Sequence, residues 1–136
     1  MAQVLLITGS LIFGTLGSIH LFYTFFTHKF DPRDIEVKYA MENTSPRLTQ
    51  ETTIWHGLIG FNASHSIGAI LIALFFIPLA IMHNEIIQSS LWFSTLPAGI
   101  GICYLILAVK YWFKIPAIGI SLATLCFLAA AVAYNT

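Results

Sequence analysis

The stretch that decides the fold is IWHGLIGFNASHSIGAILIALFFIPLAIM, from Ile54 to Met82. It contains no Asp, Glu, Lys or Arg, and it is almost entirely apolar from Leu71 onwards. A membrane-spanning helix needs about 20 consecutive apolar residues, so we predict a transmembrane helix here. The first half of the stretch is unusual, because it carries Trp, His, Asn and Ser side chains that are costly to place in hydrocarbon.

The rest of the chain has the composition of a membrane protein. Of its 136 residues, 57% are hydrophobic and only 9% are charged, whereas a soluble domain carries about 25% charged residues. Three further stretches, about Gln3–Phe26, Leu91–Phe113 and Ile115–Tyr134, are long enough to span a bilayer. No Lys or Arg precedes the first stretch, so we expect a retained helix rather than a signal peptide. We predict an all-α protein whose residues 1–136 form a single four-transmembrane-helix bundle in contact with lipid. A net charge of +0 implies no nucleic-acid partner.

The positive charges predict the orientation in the membrane. All Lys and Arg residues lie in or beside two of the connections between spans: Lys29, Arg33, Lys38 and Arg47 in the first connection, Lys110 and Lys114 beside the last. Four spans place these two connections on the same side of the membrane, and the positive-inside rule makes that side cytoplasmic. We therefore predict that both termini face outside and that the connection between the first two spans is cytoplasmic.

This connection, Thr27–Thr53, is expected to be an ordered loop. Asp31 is suited to cap a helix and Pro32 to occupy its first position, so we predict a short helix at the membrane interface. An extended segment is the alternative. We expect Thr49 to cap the second span. The loop could be a simple tether or a lid over whatever the spans enclose.

Each span has one side of small or polar residues and another of Leu, Ile and Phe residues, with members three or four positions apart. Small residues let helices approach closely in lipid, so we predict that these sides face inward. The first and second spans contribute Ser10, Gly14, Gly17, His20 and Thr24, and Trp55, Asn62, His65, Ser66 and Ala69. The third and fourth contribute Pro97, Gly101, Tyr104, Ala108 and Tyr111, and Pro116, Gly119, Ala123 and Cys126.

The larger polar side chains of these sets cluster toward the predicted cytoplasmic ends, and we expect them to line a polar pocket in that half of the bundle. The candidate ligand-binding residues are His20, Trp55, Asn62, His65, Ser66, Tyr104 and Tyr111. We predict that His20 contacts Asn62, and that His65 contacts either Ser66 or Tyr104. Counting residues at about 1.5 Å each places His20 and His65 about 7 to 8 Å apart in depth.

These residue types favour ligand binding. His, Asn and Tyr groups within an apolar cleft suit the headgroup of a quinone, a lipid or another amphiphile. Haem between His20 and His65 is a weaker hypothesis, because the axial ligands of one haem lie nearly level. The spans hold no carboxylate to support a catalytic His and no paired His or Cys spacing typical of a metal site, and whether the chain is an enzyme stays open. The alternatives are an accessory subunit of a larger membrane complex, without a ligand of its own, and a transporter that acts as a homo-oligomer.

Several motifs carry a family resemblance. They are HLFYTFF at His20–Phe26, FDPRD at Phe30–Asp34, TQETTIW at Thr49–Trp55, GFNASHS at Gly60–Ser66 and YWFKIP at Tyr111–Pro116. Together they resemble an uncharacterised family of small bacterial four-helix integral membrane proteins. The resemblance implies a location in the bacterial inner membrane, and it implies no activity. In architecture alone the chain is also similar to DoxX-like proteins.

Overall fold

The chain folds entirely into helices and the loops that connect them. The computed structural model describes residues Met1–Thr136, which form α1 (Ala2–Phe26), α2 (Ile35–Asn43), α3 (Ile54–Met82), α4 (Asn84–Ser89), α5 (Leu91–Tyr111) and α6 (Lys114–Asn135). By length and composition, α1, α3, α5 and α6 are able to cross a membrane. The predicted all-α fold with four spans is therefore confirmed.

The long helices present most of their apolar surface outward. Within the most apolar window of each helix, only 28% to 33% of the residues are buried inside the protein. Large side chains such as Leu74, Val109 and Leu125 are each more than half exposed. In water such a surface would be strongly unfavourable, whereas a bilayer solvates it, so contact with lipid follows directly from the exposed apolar faces.

One helix was absent from the sequence prediction. The connection between α3 and α5 contains α4, which is too short for a hydrophobic period to show. Ile87 of α4 is fully buried and anchors the connection. Ser90 then ends α4 and caps α5, since its Oγ accepts a hydrogen bond from the amide of Phe93 at 3.4 Å.

The chain divides into two compact units. Unit 1 comprises Met1–Leu16 and Ala69–Thr136, and unit 2 comprises Gly17–Gly68. The divisions fall inside α1 and α3, so each of these helices contributes to both units. The prediction of a single domain stays a prediction.

Aromatic rings form the centre of unit 1. Phe13 of α1 and Phe127 of α6 are both fully buried, with ring centroids 5.5 Å apart. Tyr104 of α5 packs edge-on against Phe13 at 5.1 Å. Small residues opposite these rings make room for them: a Cβ added at Gly9 would lie 2.6 Å from the Phe127 ring, and one at Gly101 would lie 3.2 Å from it. Small residues at these positions are thus required by the size of Phe127.

Side-chain hydrogen bonds also connect the helices of unit 1. Gln3 Nε2 donates to the carbonyl oxygen of Ala80 at 2.8 Å, which connects α1 to α3. Tyr134 Oη donates to Asn84 Oδ1 at 2.6 Å, which connects α6 to α4. Hydrogen bonds between membrane helices contribute about 0.6 kcal/mol each to the free energy of unfolding. These contacts therefore add little stability, and their main effect is to determine which helices pair.

Replacing Gly14 with leucine should destabilise unit 1. A Cβ at Gly14 would lie 2.7 Å from the Cβ of Ala73, and neither backbone can retreat without repacking α1 against α3. We expect a loss of about 1 to 3 kcal/mol in the free energy of unfolding, measured in detergent. Gly99→Leu is the matched control, because a Cβ at Gly99 meets no atom within 4 Å. If both variants unfold like the parent, α1 and α3 do not pack at Gly14.

Unit 2 contains the predicted interfacial helix, with caps that differ from those expected. The short helix exists as α2, but Asp34 rather than Asp31 caps it, accepting from the amide of Glu36 at 2.9 Å. The Asp31 carboxylate is instead bound to the ammonium of Lys38. The expected cap of α3 is also wrong: Thr53 Oγ1 accepts from the amide of His56 at 3.2 Å, and α3 begins at Ile54.

Thr49, the expected cap, has a different role. Its Oγ1 accepts from the amide of Glu51 at 3.1 Å and forms a turn that lies before the helix. The Thr44 carbonyl oxygen then accepts from the amide of Ile54 at 2.8 Å, which brings the end of α2 to the start of α3. Both corrections have the same cause, because Ser and Thr residues close together in sequence can each satisfy a cap or a turn.

Candidate functional site

A hydrogen bond between two spanning helices lies at the centre of the site. His20 Nε2 of α1 and Asn62 Oδ1 of α3 are 3.3 Å apart, as the sequence predicted for this pair. Asn62 Oδ1 is an acceptor, so His20 Nε2 is the donor of this bond, and in the neutral imidazole His20 Nδ1 is then an acceptor. The Asn62 Nδ2 group remains as a donor. Both side chains are partly buried, so each keeps some exposed surface.

The His65 ring completes a pair of imidazoles. The ring centroids of His20 and His65 are 5.8 Å apart, in an edge-to-face arrangement. The predicted depth difference of about 7 to 8 Å is therefore wrong for the rings. Side chains lean toward the N-terminus of their own helix, and α1 and α3 run in opposite directions, so the two rings lean toward each other.

Phe30 is a site residue that sequence reasoning missed. Its ring lies 4.6 Å from the His20 ring, on the face of the site provided by the loop. The FDPRD motif gave no sign of this contact, because nothing in a loop sequence fixes which span the loop folds against. As a result, the His20 ring contacts two aromatic rings in unit 2, that of Phe30 and that of His65.

Ser66 and Trp55 have separate roles. Ser66 is fully buried, and its Oγ donates to the carbonyl oxygen of Asn62 at 2.7 Å. The expected contact of His65 with Ser66 or Tyr104 stays a prediction. Trp55 lies at the start of α3, and the Lys38 ammonium is 4.9 Å from the centroid of its ring. Trp55 therefore joins α2 to α3 through a cation–π contact.

An ion pair holds Lys38 at this position. Lys38 Nζ donates to Asp31 Oδ2 at 2.8 Å, and the two side chains are only 27% and 21% exposed. The hydrogen bond from Lys38 lowers the pKa of Asp31 below its ordinary value, with a smaller contribution from His28, whose Nδ1 lies 3.1 Å from the same oxygen. The hydrogen bond to Asp31 likewise raises the pKa of Lys38 above its ordinary value. We call Asp31, Lys38 and Trp55 the loop latch.

The loop latch should open in acid. The pKa of Asp31 is lower in the folded protein than in the unfolded chain, so its stabilising effect is present at neutral pH and is lost as the pH falls through the folded pKa. We expect the indole N–H resonance of Trp55 to shift as the pH falls below about 4, near the reference value for Asp. Asp31→Asn should show the shifted resonance already at pH 7, and Trp92, which is exposed at the start of α5, serves as the internal control. If the Trp55 resonance shifts neither in acid nor in the Asp31→Asn variant, the result would contradict the loop latch.

Tyr104 and Tyr111 belong to unit 1, not to unit 2. Tyr104 is half-buried there, between Phe13 at 5.1 Å and Trp112 at 6.3 Å. Tyr111 is 67% exposed at the end of α5, with the Lys110 ammonium 5.2 Å from its ring centroid. The structure thus brings together His20, Asn62 and His65, while a site role for the two tyrosines stays a prediction.

The His20 and His65 rings do not fit two axial ligands of one haem as they stand. In an edge-to-face pair one ring presents its face, and an imidazole binds iron only through an in-plane nitrogen lone pair. His20 Nε2 is also engaged with Asn62. What the site offers is a hydrogen-bond donor and an acceptor beside aromatic faces.

No family model, curated protein or solved structure matches the chain.

Proposed function

We propose that this integral membrane protein binds an amphiphile, such as a quinone or a lipid, whose headgroup contacts His20 and Asn62. The observation that carries the proposal is the hydrogen-bonded pair itself. It retains an acceptor at His20 Nδ1 and a donor at Asn62 Nδ2 inside two of the long, predominantly apolar helices. A headgroup with a hydroxyl or carbonyl oxygen would satisfy these atoms, and its apolar tail would lie in the bilayer.

A comparison with nearby polar residues supports binding over simple packing. Thr24 and Ser66 are buried, and each hydroxyl donates to a backbone carbonyl one turn earlier in its own helix. These groups need no partner from outside. His20 and Asn62 are only partly buried and have more hydrogen-bonding capacity than their mutual bond uses. An unsatisfied polar group in hydrocarbon costs several kcal/mol, which favours a bound polar headgroup at this position.

The contacts of the loop support a lid rather than a simple tether. Phe30 lies against the His20 ring, and the loop latch joins α2 to the first turn of α3. A tether would need neither contact. The loop would therefore cover the headgroup on one side and open when these two contacts break.

The same proposal includes an orientation. With all Lys and Arg residues in or beside two connections, the positive-inside rule places the loop Thr27–Thr53 in the cytoplasm and both termini outside. The bound headgroup would then lie in the cytoplasmic half of the membrane. A location in the bacterial inner membrane is part of the proposal, because it is what the resemblance of the motifs to those of small bacterial membrane proteins implies.

Histidine NMR tests the proposal with controls inside the chain. We would record ¹⁵N imidazole spectra of the purified protein before and after exhaustive detergent exchange, which strips bound amphiphiles. The resonances of His20 and His65 should move, because the hydrogen bond to His20 Nδ1 and the neighbouring ring environment change. The exposed rings of His56 and His83 should not move.

Unchanged His20 and His65 resonances would contradict ligand binding at this site. The polar pair would then be a packing contact, and the chain would be better described as an accessory subunit that assembles with other membrane proteins. Equal shifts at all imidazoles would indicate a general effect of detergent and would also count against the proposal.

A further inference from the structure

We infer that the headgroup bound at this site is uncharged and planar, of the benzoquinone or naphthoquinone class, rather than the phosphate of a phospholipid. The inference rests on the proposed function and goes further by selecting among amphiphiles. It follows from two properties of unit 2, namely where its cations lie and what shape its side chains present around His20.

The cations of unit 2 that approach its helices are already engaged. Lys38, the one that is largely buried, is bound to Asp31 at 2.8 Å and lies over the Trp55 ring. The Lys29 ammonium lies over the Tyr23 ring, 4.1 Å from its centroid. Arg33 and Arg47 are exposed.

Phosphate recognition depends on such cations. Proteins bind phosphates through charge-assisted hydrogen bonds, usually from Arg or Lys. A phosphate beside His20 would lie in hydrocarbon without a cation of its own, and an unpaired charge there is strongly unfavourable. An uncharged headgroup avoids this cost.

The shape of the site favours a flat ring. The His20 ring has two aromatic neighbours: the Phe30 ring, tilted by 42° with its centroid 4.6 Å away, and the His65 ring, which meets it edge-to-face at 5.8 Å. Aromatic rings stack or pack edge-on at separations of about 4.5 to 7 Å, so a planar headgroup can pack against this aromatic cluster. A tetrahedral phosphate has no flat face to offer.

The polar atoms match the edge of such a ring. A quinone carbonyl oxygen is an acceptor and suits Asn62 Nδ2, whereas a quinol hydroxyl is also a donor and suits His20 Nδ1. The same pair therefore accommodates the oxidised and the reduced headgroup without any change in the protein.

Native mass spectrometry of the detergent-stripped protein tests the inference with two probes, decylubiquinone and phosphatidylglycerol. We expect one decylubiquinone per chain, a loss of at least tenfold in occupancy for Asn62→Leu, and wild-type occupancy for Ser64→Leu. Ser64 is the matched control because it lies two residues away on the exposed face of α3, with its Oγ bonded to the Phe61 carbonyl. Phosphatidylglycerol should not displace the quinone, and its occupancy should be the same in all three proteins.

The possible failures are distinguishable. If Asn62→Leu or Lys38→Met abolishes phosphatidylglycerol binding, and quinone binding does not depend on Asn62, the inference of a planar, uncharged headgroup is wrong. The proposed amphiphile site would still stand. The absence of Asn62-dependent binding for both probes would overturn this inference and count against the proposed function as well.

Discussion

Truncating Phe127 to alanine should lower the free energy of unfolding by about 3 kcal/mol, the largest stability loss that we expect from a single core substitution. Phe127 is fully buried and packs against Phe13, with the backbone of Gly9 and Gly101 close to its ring. Alanine would leave a cavity that these neighbours cannot fill. We choose the low end of the range known for Phe→Ala, because lipid solvates the side chain when the helices separate, and lost packing is the main remaining cost.

Leu125→Ala is the control for this substitution. It lies two residues away on the same helix and is 62% exposed, so its side chain contacts lipid rather than the core. We expect it to change the free energy of unfolding by well under 1 kcal/mol. Equal losses for the two variants, in a detergent-titration unfolding experiment, would show that α6 packs through a different face.

The second large effect that we expect is on the activity of topology reporters, which depends on the side of the membrane that they occupy. A phosphatase fused after Thr136 or inserted after Gln88 should be active, because both positions are expected to face outside. The same enzyme inserted after Asn43, at the end of α2, should be inactive. The effect is all-or-none, since the phosphatase folds only after export.

Green fluorescent protein at the same three positions gives the complementary readout. It should fluoresce only when inserted after Asn43, because it folds in the cytoplasm. The reverse pattern of both reporters would contradict the orientation and the cytoplasmic location of the site. It would leave the contact between His20 and Asn62 unchanged, because that contact does not depend on the orientation.

The fold could be predicted from the sequence because the relevant signals are long. The predicted bounds of α3, from Ile54 to Met82, are those of the structure. An apolar stretch of this length has few alternatives to a spanning helix. The short elements were harder: α4 was missed, and Thr53 rather than Thr49 caps α3, since a cap depends on one hydrogen bond among several neighbouring hydroxyls.

The candidate site was predicted only in part. Helical periodicity placed His20 and Asn62 on facing sides, and the structure brings them together. Residue counting failed for the His20 and His65 rings, because it follows Cα positions and ignores the lean of side chains. Phe30 and Lys38 could not have been found, because their roles depend on how a loop folds over the spans.

The central claim is that the His20–Asn62 pair binds a headgroup and does not merely join two helices. The most direct test is the amount of endogenous amphiphile that co-purifies with Asn62→Leu, per mole of folded protein, relative to the wild type. The account predicts a loss of at least tenfold, with a melting temperature close to that of the wild type, because one interhelical hydrogen bond contributes only about 0.6 kcal/mol. An unchanged amphiphile content together with a lowered melting temperature would contradict it.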